Sequence, residues 1–63
     1  MSDTDKEIAR EFEIVLTKFL IAADNGGVTP DLRTALVEAR AKAKTLPDEL
    51  YFDAMLRAHK AVT

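Results

Sequence analysis

The sequence has no cysteine, no tryptophan, a single histidine (His59), two glycines and two prolines. Without cysteine there is no disulfide framework, zinc ribbon, iron–sulfur ligation or thiol catalysis. One histidine cannot build a multi-histidine metal site. So little glycine and proline excludes collagen-like and proline-rich linker chains. No run of about 18 apolar residues is present, so no segment is long enough to span a membrane as a helix. The opening Met1-Ser2-Asp3-Thr4-Asp5 is acidic and polar. It lacks the basic start and apolar stretch of a signal peptide, and Ser2 stands where myristoylation requires glycine. Prenylation needs the absent cysteine. The expected compartment is the cytoplasm.

The 63 residues are 48% hydrophobic and 32% charged, the balance of a globular chain and not of a disordered tail. A length of 63 residues allows one domain, residues 1–63. The net charge of −2 weighs against a dedicated binder of nucleic acid or anionic membrane. The charge is uneven. Residues 1–31 hold seven acids and three bases, a net −4, and residues 32–63 hold six bases and four acids, a net +2.

Three amphipathic segments follow one another. In the first, about 5–24, Ile8, Phe12, Val15, Leu16, Phe19, Leu20 and Ala23 recur at three- and four-residue spacing, one broad helical stripe. Thr4-Asp5-Lys6-Glu7 fits a capping box at its start, and Asn25-Gly26-Gly27 ends it. The second, about 30–45, opens on Thr29-Pro30-Asp31, with Thr as N-cap and Pro at the first helical position. Its stripe is Leu32, Ala35, Leu36, Ala39 and Ala43, and Pro47 forces an end at Leu46. The third, about 48–61, has Leu50, Tyr51, Ala54, Met55, Ala58 and Val62 on its inner face. No period-two stretch suggests a strand. The expected fold is all-α, a compact three-helix bundle, with a homodimer as an alternative for so small a chain without disulfide or metal.

Residues that break the stripes are the candidates for function. Ile14 and Ile21, seven apart, lie within about 20° of each other opposite the main stripe of the first helix. Phe52 and Leu56 lie four apart on the outer side of the third, flanked by His59. Val37 is a weaker outlier on the second. Scattered exposed apolar residues are normal in soluble proteins, and a wide buried face would also explain them. Their pairing on two helices nevertheless suggests an interface. Arg33, Arg40 and Lys44 fall within about 40° on one flank of the second helix, a strip for phosphate or for an acidic partner. A solvated flank, with Glu38–Lys42 as an ordinary pair, or an acidic first helix lying beside the strip accounts for it more simply.

A helix-turn-helix reader is disfavoured. Asp48, Glu49 and Asp53 at the start of the third helix, and Pro30-Asp31 at the start of the second, would meet phosphate badly. Catalysis is not expected: Asp53 lies about 240° around the helix from His59, and so short a chain seldom encloses a pocket. The acid pairs Glu7/Glu11 and Glu49/Asp53 have no Glu-x-x-His partner, so neither metal nor cofactor is expected. Gly26-Gly27 lacks the lysine and spacing of a phosphate loop. The expected function is therefore a small non-catalytic protein–protein interaction module, a regulator, inhibitor or adaptor, using Ile14, Ile21, Phe52 and Leu56. The partner would be another protein or a second copy, with no membrane involved. The alternatives are a nucleic-acid-binding regulator using Arg33, Arg40 and Lys44, or a subunit of a self-assembling particle.

Overall fold

A computed structural model describes residues 3–63. Met1 and Ser2, and the reading of Ser2 given above, lie outside the described residues. Within them stand three α-helices: α1, Asp3–Asp24; α2, Pro30–Ala43; and α3, Asp48–Ala61. The all-α three-helix bundle is as expected, and α3 has the expected limits. Two other ends differ. α1 begins at Asp3, so Thr4 sits inside the first turn and is not the N-cap. The acids Asp3 and Asp5 in that turn favour the earlier start, because carboxylates stabilise the positive end of the helix dipole.

α2 stops at Ala43, two residues before the expected end. The cause lies in the last turn. The amide of Thr45 donates to the Lys42 carbonyl at 3.1 Å and its hydroxyl donates to the same oxygen at 2.7 Å, while Leu46 N donates to Ala43 O at 3.0 Å. These three-residue spacings tighten the helix out of α geometry and turn Leu46, from the connection itself, into the core. The start of α2 is as expected. Thr29 is extended at φ −93°, ψ 157°, and its hydroxyl accepts from the Leu32 amide at 3.1 Å. α1 ends in a Schellman motif: Gly26 sits at φ +68°, Gly27 N donates to Ala22 O at 2.7 Å, and Gly26 N donates to Ala23 O at 3.2 Å.

α1 is the shared helix. α2 and α3 each pack along it and scarcely touch one another. The N-terminal half of α3 (Leu50, Asp53, Ala54, Arg57) lies beside the N-terminal half of α1 (Lys6, Ala9, Arg10, Glu13), and Val62 lies beside Leu20 and Asp24. α3 thus runs parallel to α1, with α2 antiparallel between them in sequence. The core cluster is Phe12 from α1, Ala39 and Ala43 from α2, Leu46, and Ala54 from α3. Phe12 stacks on Tyr51 with ring centroids 5.3 Å apart. Alanines one turn apart, Ala39/Ala43 and Ala54/Ala58, are buried on both flanking helices. With no bulk beyond Cβ they let each backbone come close to the large side chains of α1. Among the described residues no polar or charged side chain is buried.

The same alanines keep the core small. The molecule exposes 4665 Å², where a compact monomer of this mass exposes about 4,000 Å². Its radius of gyration is 11.5 Å, against about 10.6 Å for a compact chain of this length. Extents of 36 × 23 × 15 Å describe a flattened body. Leucine at Ala43, which is fully covered, should overpack the seam and cost about 1–3 kcal/mol. Leucine at exposed Ala41, on the same helix, should change stability by less than about 0.5 kcal/mol. Urea denaturation of the two variants checks this; equal effects would contradict a tight α1–α2 seam.

Candidate interaction surface

All four apolar candidates are exposed: Ile14 by 43%, Ile21 by 47%, Phe52 by 58% and Leu56 by 61%. They do not form one surface. Ile14 and Ile21 lie about 160–180° around α1 from Phe12, on the opposite side of the helix. Phe52 and Leu56 lie about 160° around α3 from Ala54, on the outer side of that helix. Ile21 also borders a cleft with Val62 at the C-terminal end of α1.

The basic strip is exposed throughout. Among the described residues Arg33, Arg40 and Lys44 make no ion pair. The Glu38–Lys42 pair expected one turn apart does not close either, whereas Asp53 and Arg57 close one at 2.8 Å on the surface of α3.

Sequence reasoning did not show that Lys44 of the α2 strip and Phe52 of the α3 pair border one cleft. Lys44, Ala43 and Leu46 line one cleft together with Asp48, Tyr51 and Phe52. That cleft lies where the C-terminal end of α2 meets the first turn of α3. Arg33, Val37, Arg40 and Lys44 fall within about 60° on the side of α2 that Lys44 occupies. Leu56 and His59 fall within about 40° of Phe52 on α3. The half-buried Leu36 and Met55 pack against the core from these two helices. Val37, treated in the sequence as a minor outlier, is 62% exposed. Val37, Leu56 and Phe52 are the three most exposed large apolar side chains among the described residues; Phe52 borders the junction cleft with Lys44, while Val37 and Leu56 lie on the outer sides of their helices. The signal was available as the spacing Arg33, Val37, Arg40, Lys44, but the relative rotation of the helices was not.

The Phe52 ring meets Tyr51 edge-on with centroids 5.8 Å apart, and Tyr51 in turn stacks on Phe12. An aromatic row thus runs from the core to the surface, where it ends at the exposed Phe52. A wider groove of about 490 Å³ separates the N-terminal halves of α1 and α3. Ala9, Leu50 and Ala54 form its floor, and Lys6, Arg10, Glu13, Asp53 and Arg57 its rim. These mixed charges fit no single ligand chemistry. His59 is exposed on α3. Among the described residues no three His, Cys, Asp or Glu side chains gather as a metal site, and no helix is long and apolar enough to cross a membrane.

Set against family models, curated proteins and solved structures, the chain matches none of them. Because the α2 bases are exposed and unpaired, Arg33→Gln and Arg40→Gln should each alter unfolding free energy by less than about 0.5 kcal/mol. A loss above about 1 kcal/mol in thermal or urea melts would instead reveal a hidden pairing with α1.

Proposed function

We propose that this protein is a small non-catalytic interaction module, a regulator, inhibitor or adaptor that docks a helical face on another protein. The observation that supports it best is the display of large apolar side chains on outward helix faces of a molecule whose exposed surface already exceeds that of a compact monomer. Single exposed apolar residues are ordinary. Here they are grouped, and one of them, Phe52, ends an aromatic row from the core. Ile14 and Ile21 on α1, and Phe52 and Leu56 on α3, are the proposed contact residues, since apolar anchors carry most of the energy of an interface. Because the two pairs face different ways, the module has two contact patches. One can hold a partner while the other meets a second copy or a second partner.

Charge reversal separates contact from core. Ile21→Glu and Phe52→Glu should each leave unfolding free energy within about 0.5 kcal/mol of the parent. Each should weaken the complex or the oligomer at its own patch by about tenfold or more. The complexes are recovered from nuclease-treated lysate, identified by mass spectrometry and titrated with purified components. If both variants lose about 2 kcal/mol or more of stability yet keep every partner and every oligomer, the four residues are core and the reading is wrong.

A further inference from the structure

We infer that a second copy of this chain docks antiparallel on α1, along the exposed row Glu11, Ile14, Lys18 and Ile21. The inference rests on the reading of the chain as an interaction module and names the partner of the Ile14/Ile21 patch. The row belongs to a single helix, so helix geometry places its members on one face, within about 80° of each other. All four are exposed. Their spacings of three, four and three residues are those of a coiled-coil seam. Glu11 and Lys18 hold one heptad position, and Ile14 and Ile21 the other. α1 therefore carries a second stripe besides the one that buries Phe12.

Charge selects the occupant and its direction. Among the described residues Glu11 and Lys18 make no ion pair. No opposite charge stands three or four residues from either of them on α1, so their own helix supplies no partner. A parallel second copy would set Glu11 against Glu11 and Lys18 against Lys18. An antiparallel copy, related by a two-fold axis at about residue 16, does the reverse. It sets Lys18 opposite Ile14 of the second copy, and Glu11 opposite Ile21 of the second copy. Each charged side chain then lays its apolar stem over an isoleucine. Glu11 stands about 4.5 Å along the axis from Lys18 of the second copy, and the two-fold makes that contact twice. The row is thus complementary to itself, as an isologous interface requires. The molecule exposes 4665 Å², above the about 4,000 Å² of a compact monomer, so it has surface to cover. α1 offers 22 residues, about 33 Å. A contact of one helix pair falls below the standard interface of about 1,200–2,000 Å², and the dimer forms at a concentration on the order of 0.1 mM.

Sedimentation equilibrium of the full chain from about 10 μM to about 1 mM tests this. The parent should pass from monomer to dimer, and Ile14→Glu should weaken the dimer at least about tenfold. Val37→Glu, at an exposed apolar residue of α2, should leave it unchanged. Glu11→Lys and Lys18→Glu should each weaken it about fivefold or more. The double variant, or an equimolar mixture of the two single variants, should restore it. Every variant should keep the circular dichroism of the parent, which separates lost pairing from lost folding. For direction, the chain has no cysteine, so Thr4→Cys carries a single spin label. Mixed with the isotope-labelled parent, it should broaden the amide resonances of residues 21–28 in the second copy. Broadening of residues 3–8 would overturn the antiparallel order. A double variant as weak as the single ones would overturn the Glu11–Lys18 contact. Loss of the dimer in Phe52→Glu but not in Ile14→Glu would overturn this face. A parent that stays monomeric at the top of the range would overturn self-pairing; the module reading would fall with it only if Ile21→Glu and Phe52→Glu also lost no partner.

Discussion

α1 has one apolar stripe and two helices that bury against it. A stripe that must serve two neighbours can do so only if each approaches closely, and the alanines at 39, 43, 54 and 58 permit that approach. Phe12 then reaches both seams at once, in one cluster with Ala39, Ala43 and Ala54. Leu46 closes one end of this cluster from the α2–α3 connection. The rest of the architecture follows. α2 and α3 spend their inner faces on α1 and keep little for each other, so the body is flat and its surface large for its mass.

That division leaves an opening where a closed bundle would have a third seam. At its junction end stand Phe52 and Lys44, and Val37 and Leu56 are exposed on the outer sides of α2 and α3. The aromatic row Phe12–Tyr51–Phe52 ties this face to the core. α1 presents a second, smaller patch at Ile14 and Ile21, on the far side of the molecule from its own core stripe.

Much of the fold was legible because it is written locally. Thr29-Pro30 starts α2, Gly26-Gly27 ends α1, and Pro47-Asp48 opens α3, each through chemistry confined to a few residues. The ends that differed depend on more. Thr4 would suit an N-cap, but the acids around it favour helix from Asp3 onward. Thr45 looked helical by pattern, yet its hydroxyl competes for the Lys42 carbonyl and closes α2 early. The candidate surface was legible helix by helix and no further. Periodicity gives the phase of each helix about its own axis: it set Phe52 and Leu56 off the α3 stripe and grouped Arg33, Arg40 and Lys44 on α2. It contains nothing about how α2 is rotated relative to α3. The structure adds that Lys44 and Phe52 border one cleft.

The openness of the α2–α3 face is tested most directly by solvent paramagnetic relaxation of side-chain protons, using a soluble gadolinium chelate on the free chain at a concentration where it sediments as a monomer. Val37, Phe52 and Leu56 should relax strongly, as surface groups do, while Phe12, Ala43 and Ala54 stay protected. Protection of Phe52 and Leu56 at the level of Phe12 would show that α2 and α3 close on each other, and that the face is core.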